Sequence, residues 1–315
     1  MRIAIFGAGG AGGYFGARLA KGGEDVVWIA RGAHLDALRT RGLRVESVDG
    51  DFQLGPLPAS DDPSVFGPVD AILFGVKVWQ VPEAAAGLRP LLGADTFVVP
   101  LQNGVEAAGE IGAVLGAERA VGGIAKIFCF LVGPGHLRRP GGPAAITFGE
   151  LDNRHSDRLE RLRAALQRAG LGGEIPADIN VALWEKFLFV ASGGGLGAVT
   201  RAPIGIVRSV PETRALLVAA MEEIRNVGRA RGVRLSDDVV ERTMAFVDTL
   251  PVAGTASLQR DLAAGRRSEL DWWSGSVARL GAEAGVATPI HSFIYRSLLP
   301  TELRARGEIT FPPEA

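Results

Sequence analysis

The amino-terminal half of the chain alternates short apolar runs with longer stretches of helical spacing. Arg2 to Phe6 reads as a fully buried strand, followed by a glycine turn and a helix over about Gly10 to Gly22. Asp25 to Ala30, Asp70 to Val76 and Thr96 to Leu101 are three further apolar runs of strand length. Strands that alternate with helices in this way predict a parallel sheet with crossover helices. Between the second and third strands, a polar, proline-containing stretch places Leu43, Val45, Val48, Phe52 and Leu54 where an edge hairpin would carry them. Ala120 to Phe130 and Ala144 to Phe148 are additional strand candidates. Pro134, Gly135, Gly141, Gly142 and Pro143 separate them, so an antiparallel extension of the sheet is expected.

Beyond about residue 176 the period changes. Asp178 to Ala191, Glu212 to Arg231, Ser236 to Leu250, Leu258 to Gly265, Ser268 to Ala284 and His291 to Arg306 all read as helices. Ser268-Glu269-Leu270-Asp271 has the form of a capping box that opens one of them. The boundary is expected near Gly173 to Asp178, which gives an α/β domain over 1–175 and an all-helical domain over 176–315. No internal repeat or low-complexity tract is evident.

Composition narrows the function classes. The 315 residues include 43 glycines, nearly twice the usual share of about 7 %. Hydrophobic residues at 47 % and charged residues at 22 % belong to a folded globular chain. With 34 basic and 35 acidic groups the net charge is −1, so nothing marks a nucleic-acid or anionic-membrane partner. A single cysteine, Cys129, excludes an intramolecular disulfide and a cysteine-rich zinc site. The longest uncharged stretch, Phe187 to Thr200, is interrupted by four glycines, and the apolar run after Arg2 is too brief for a signal-peptide core. A soluble, cytoplasmic protein is expected, acting on a small molecule as a monomer or a homodimer.

Gly7-Ala8-Gly9-Gly10-Ala11-Gly12 is G-x-G-x-x-G directly after a buried strand and at the start of a helix. In that context Gly7 permits the tight turn, Gly9 lets the backbone approach a pyrophosphate, and Gly12 lets helix and strand pack closely. The helix start offers free N–H groups and a positive dipole end to the anion. Where an NAD enzyme carries an acid at the end of the second strand, this chain has Arg31, nineteen residues past Gly12. A guanidinium suits a 2′-phosphate, so NADP is the expected cofactor; a solvated loop arginine is the ordinary alternative.

Lys77 and Asn103 follow the third and fourth strands, at the carboxyl edge where open α/β sheets bind ligands. Each alone is an ordinary surface lysine or turn asparagine; together they point to the cofactor. Lys186 lies in a helix that is apolar nearly all round, Ala182 to Val190. Burial lowers a lysine's pKa and suits it to proton donation near neutral pH, although it can also snorkel beside Glu185. Glu269 and Ser257 have ordinary explanations as helix-terminal residues, and Trp272-Trp273 as core or a cleft wall. His34, His136, His155 and His291 show no metal-ligand spacing, are read as surface or loop residues, and no metal is expected.

These segments together resemble ketopantoate reductases (2-dehydropantoate 2-reductases) over essentially the full chain. The resemblance is carried by Gly7 to Gly12, Gly75-Val76-Lys77-Val78-Trp79-Gln80, Leu101-Gln102-Asn103-Gly104, Leu183-Trp184-Glu185-Lys186, and the run from Ser257 through Asp261 to Ser268-Glu269-Leu270-Asp271. It implies a Rossmann domain, an all-helical second domain, and NADPH in the cleft between them. By position, Lys186 would donate the proton, Asn103 and Glu269 would support cofactor and substrate, and Ser257 would meet a substrate carboxylate. Arg31 and Lys77 would serve the phosphate end of NADP. One departure stands out. The family's lysine helix carries asparagines one and two turns past the lysine and a third soon after, whereas this chain has Val190, Gly194 and Ile204. The resulting expectation is an NADPH-dependent reductase of a 2-oxo acid or related ketone, with glycines 193–195 widening the pocket beside the lysine. A dehydrogenase of 2-hydroxy acids and a non-catalytic NADP-binding regulator are the alternatives.

Overall fold

The computed structural model describes residues 1–312. The chain divides into two compact units, Met1–Ile179 and the residues from Asn180 on. In the first, the expected alternation appears as β1 (Arg2–Phe6), α1 (Gly10–Lys21), β2 (Asp25–Ile29), α2 (Gly32–Thr40), the hairpin β3 (Leu43–Ser47) and β4 (Phe52–Leu54), and the short β5 (Ala59–Ser60). β6 (Val69–Phe74), α3 (Val81–Ala86), β7 (Leu92–Pro100) and α4 (Ala107–Leu115) continue it. The central sheet is parallel throughout, in the order β5-β2-β1-β6-β7. Alternate residues of β1 serve two cores. Ile3 and Ile5 pack with Phe15 and Trp28 on one face, and Ala4 and Phe6 with Phe74 and Val81 on the other. A strand buried on both faces must be apolar at every position, and this is why the run after Arg2 lacks period two.

The expected antiparallel extension is two separate sheets. β8 (Val121–Ile127) ends before Phe130, and the chain turns at Phe128 and Cys129. There the Cys129 carbonyl presses against the start of α1: a Cβ on Gly10 would lie 2.3 Å from its oxygen. β9 (Phe130–Gly133) and β10 (His136–Arg139) form a hairpin, and β10 pairs in parallel with β3, giving the order β4-β3-β10-β9. β11 (Ala144–Glu150) returns antiparallel along β8 and carries β12 (Gly172–Glu174) on its other edge. This sheet meets the central one through a single parallel bridge, Val98 to Ala120. Between β11 and β12 lies α5 (Asp157–Arg168), an amphipathic helix outside the expected set, with Leu159, Leu162, Ala165 and Leu166 buried.

The second unit is helical: α6 (Ile179–Thr200), α7 (Ile204–Ser209), α8 (Pro211–Ala230), α9 (Val239–Thr249), α10 (Ser257–Ala263), α11 (Ser274–Glu283) and α12 (Pro289–Ala305). Three expectations are corrected here. α6 does not stop at Ala191 but runs through its glycines to Thr200, and α7 is an additional element. Ser268 to Ala284 is not one helix: a 3₁₀ turn over Leu270–Trp272 gives way to α11 at Trp273, whose φ of −104° and ψ of −95° break the helical path. The capping box does not form. Ser268 turns inward and donates its N–H (3.0 Å) and its hydroxyl (2.5 Å) to the carboxylate of Glu302 on α12. Glu302 also accepts from Arg306 at 2.8 Å, and Arg306 reaches across to Asp271. No helix among the described residues is long and apolar enough to cross a membrane.

Candidate functional site

In the central sheet the chain leaves β1 toward β2 on one side and reaches β6 on the other, so the order reverses beside β1. A crevice opens at such a reversal because the following loops part in opposite directions. Here it is a cavity of ≈ 570 Å³ lined by Gly7, Ala8, Gly9, Gly10 and Ala11 together with Arg31, His34, Asp61, Lys77 and Glu83. The expected turn, arginine and first lysine therefore converge on one site.

The glycines of the turn differ in what a side chain would meet. Gly7 has a φ of +97°, and a Cβ there would lie 2.7 Å from the Gly75 carbonyl carbon. A Cβ on Gly12 would meet the Gly7 carbonyl oxygen at 2.3 Å, and Gly12 is absent from the cavity lining. Gly9 is different: a Cβ there would have no heavy atom within 4 Å, and the residue faces the cavity. It is also the N-cap of α1 and has no side chain to satisfy the helix's first N–H groups. Those groups have no intrahelical acceptor and lie at the positive end of the dipole. Open space above unpaired donors suits a pyrophosphate.

Arg31 caps α2 in an extended conformation and exposes a guanidinium that has no ion-pair partner among the described residues. Lys77 is exposed on the opposite wall, with its ammonium 5.6 Å from the centre of the Trp79 ring. Asp61, after β5, also lines the cavity and lies on the Arg31 side, because β5 pairs with β2 and the Ala30 N–H donates to the Ser60 carbonyl at 3.1 Å. Spacing from the glycines had pointed to no acid there, because the strand that delivers Asp61 enters the sheet from beyond the β3–β4 hairpin. Asn103, half-buried, stands just past the end of β7 and outside the cavity lining. Its neighbour Gln102 is buried and donates its amide to the Phe74 and Val76 carbonyls at 3.0 and 2.9 Å, tying the end of β7 to the end of β6.

His34 is a residue that sequence reading missed. It was read as a surface or loop residue; it lines the cavity instead, with Nε2 2.9 Å from the Ala8 carbonyl and Nδ1 accepting from the Gly135 N–H at 3.0 Å. Burial pushes its pKa below the usual imidazole value, and the Ala8 carbonyl partly opposes that shift. His291 also departs from the expected surface role. It is fully buried on α12 between Ala220 and Ser274, and burial pushes it down to about 4. Cys129 lines the cavity too, but burial raises its thiol to about 11, so it is protonated and poorly nucleophilic at neutral pH. Among the described residues no cluster of three His, Cys, Asp or Glu side chains could hold a metal.

In the helical unit Lys186 and Val190 are both half-buried, one turn apart on α6 and therefore on one face. The expected widening beside them does not occur. A Cβ on Gly194 would lie 2.4 Å from the Trp273 indole, and one on Gly195 would lie 3.0 Å from Ile294. These glycines let α11 and α12 approach α6 closely, and buried Trp273 fills the space. Where the family's second asparagine would stand, the indole leaves no room for it; Ile204, at the third position, is buried at the start of α7. The same packing sets Ala256 within 3.2 Å of a Gly194 Cβ, bringing Ser257, first residue of α10, near α6. Glu269, half-buried, precedes the 3₁₀ turn and is flanked by Ser268 and Leu270, both anchored on the Glu302 network.

Family models for ketopantoate reductase PanE/ApbA match residues 3–153, and for its C-terminal part residues 178–302. The 2-dehydropantoate 2-reductase of Mesorhizobium japonicum is 30% identical over 310 residues, covering 92% of this chain and 94% of its own. Among solved structures, 2-dehydropantoate 2-reductase from Geobacter metallireducens aligns with a TM-score of 0.88 at 30% identity, over 95% of this chain and 99% of its own. A PanE/ApbA family ketopantoate reductase from Ralstonia eutropha gives 0.88 at 32% identity, over 97% and 100%.

Proposed function

The chain belongs to the ketopantoate reductase family and is an oxidoreductase of the C=O/CH–OH class working with a nicotinamide cofactor; on that premise we propose that it reduces an apolar 2-oxo acid or related ketone with NADPH. The observation that carries the cofactor reading is the cavity itself. Its floor is a glycine-capped helix start with open space above Gly9, and its walls supply one guanidinium and one ammonium. Arg31 pairs with the 2′-phosphate, which favours NADPH over NADH, and Lys77 and Asn103 hold the ribose and phosphate groups. When bound, the cofactor supplies the hydride.

Lys186 donates the proton to the developing alkoxide and, as a cation, stabilises it beforehand. Glu269 supports cofactor and substrate, and Ser257 accepts the role of binding the substrate carboxylate. Val190 presents an isopropyl group on the lysine face, so a substrate hydroxyl that an asparagine would have paired there is left without a partner. This selects a more apolar acyl chain than that of ketopantoate. In this reading the first unit is the NADP-binding domain and the helical unit carries substrate recognition.

The test is NADPH oxidation over a panel of straight-chain, branched and aromatic 2-oxo acids plus ketopantoate, with wild type and Lys186→Ala. The expected result is a wild-type preference for an apolar member and a fall in kcat of about 10²–10⁴-fold in the variant, with little change in NADPH affinity. Turnover that survives in Lys186→Ala would overturn the proton-donor role. Ketopantoate winning by tenfold or more would overturn the substrate reading, and no oxidation with any member would favour a non-catalytic protein.

A further inference from the structure

We infer that His34 is a positioning residue for the phosphate-binding turn: its imidazole, neutral with hydrogen on Nε2, holds the Ala8 carbonyl and thereby aims the N–H groups that face the cofactor. The inference rests on the cofactor reading of the cavity above.

The tautomer follows from the partners. A carbonyl oxygen only accepts and a backbone N–H only donates. Nε2, 2.9 Å from the Ala8 oxygen, must therefore carry hydrogen, and Nδ1, receiving the Gly135 N–H at 3.0 Å, must be bare. The imidazole bridges three segments: α2, the turn after β1, and the β9–β10 turn. The last of these is itself wedged in place. A Cβ on Gly135 would lie 3.0 Å from both the Ala37 side chain and the Gly42 carbonyl.

In a trans peptide the carbonyl and the following N–H point in opposite directions. Pinning the Ala8 carbonyl on His34 therefore fixes the direction of the Gly9 N–H. Gly9 is the N-cap of α1, so its peptide leads directly into the unpaired donors of the first turn. Backbone packing holds the turn on either side, Gly7 against Gly75 and Gly10 against the Cys129 carbonyl. At the Ala8–Gly9 peptide between them, where a Cβ on Gly9 meets open space, His34 is the side chain that adds a hydrogen bond.

Protonation would break the arrangement, since a hydrogen on Nδ1 would face the Gly135 N–H. The charged groups that share the cavity with the imidazole are Arg31, Asp61, Lys77 and Glu83; Asp36 is exposed two residues further along α2, and His136, the residue after Gly135, is engaged by Glu46 at 2.9 Å. Cofactor affinity should therefore fall as the imidazole gains its proton on acidification.

The experiment is calorimetric titration of NADP⁺ into wild type, His34→Gln and His34→Leu at about pH 8, 6.5 and 5. Glutamine offers a planar amide with one donor and one acceptor, so it can serve both partners without titrating. Leucine serves neither. His34→Leu is expected to bind about tenfold more weakly at every pH, with a rise in KM for NADPH that exceeds any fall in kcat. His34→Gln is expected within about threefold of wild type at pH 8 and to lose less affinity than wild type on acidification. The 2′-phosphate's own titration is common to all three proteins and cancels in the comparison. Should His34→Leu fail to fold, the difference in pH slope between wild type and His34→Gln decides alone. Equal affinity in wild type and His34→Leu, or equal pH slopes in wild type and His34→Gln, overturns the role of His34 while leaving the cofactor reading intact. Wild type that binds no dinucleotide overturns both.

Discussion

Replacing Gly9 by alanine adds one methyl group where an ideal Cβ has no heavy atom within 4 Å, whereas the same change at Gly12 drives a Cβ to 2.3 Å from the Gly7 carbonyl oxygen. Gly9 has a φ of −69° and a ψ of −161°, which alanine adopts without strain. Its folding cost is then only the weaker N-cap, on the order of 0.5–1 kcal/mol. In a unit of this size that lowers Tm by about 1–4 °C. At Gly12 the obstructing atom is backbone, and it belongs to a residue with no room to move: a Cβ on Gly7 would in turn strike Gly75. Overpacking of this kind costs about 3 kcal/mol or more, roughly 6–12 °C. For binding the order reverses in cause. The Gly9 methyl occupies the space the pyrophosphate needs, and each charge-assisted hydrogen bond lost there is worth about 1.5–3 kcal/mol. A loss near 3 kcal/mol is about a hundredfold in affinity. Thermal melts of the cofactor-free proteins and calorimetric titration of NADPH separate the two effects. Gly9→Ala should melt near wild type yet bind at least about a hundredfold more weakly; Gly12→Ala should melt well below both. If Gly9→Ala binds within threefold of wild type, the turn is not the pyrophosphate site.

Arg31→Ala should lose NADPH affinity by about ten- to a hundredfold, the worth of one charged contact to phosphate, while NADH changes little; equal losses for both cofactors would show that Arg31 does not read the 2′-phosphate. Val190→Asn should raise kcat/KM for ketopantoate relative to a branched apolar 2-oxo acid by about tenfold or more, since a site that pairs a polar group discriminates far better than an apolar one; an unchanged ratio would remove Val190 from substrate choice. His291, buried and pushed down to about 4 from 6.5, binds its proton more readily in the unfolded chain, so its contribution is complete above 6.5 and is lost as pH falls toward 4. Denaturant unfolding at pH 7 and about 4.5 should show wild type losing about 2 kcal/mol more than His291→Phe. Glu223, raised by its own burial, acts in the opposite sense in both proteins and largely cancels. A difference below about 0.5 kcal/mol would contradict the burial of a neutral imidazole.

Much of the first unit could be read directly because its signals are local. A strand buried on both faces is written as an unbroken apolar run, and Gly12 meets a steric demand that arises within one strand-turn-helix unit, from the Gly7 carbonyl. Lys186 and Val190 share a face because 3.6 residues make a turn, whatever surrounds them. Other features depend on residues far away in the chain. Gly193 to Gly195 look like the end of a helix, yet α6 continues through them because Trp273 and Ile294 occupy the volume that larger side chains would have filled. Ser268 has a cap's chemistry and the right spacing, but its hydroxyl donates to the buried Glu302, 34 residues away, while accepting only from the Leu270 N–H at 3.3 Å, so the expected box with Asp271 does not form. His34 has no distinguishing neighbour in sequence, and its role appears only when Ala8 and Gly135, from two other segments, close on its two nitrogens. The sequence by itself thus determined the order of elements and the chemistry offered at each strand end. Tertiary packing decided where helices stop, which polar groups pair, and which histidine closes on the glycine turn after β1, because those choices turn on volume and hydrogen-bond partners that no local window contains.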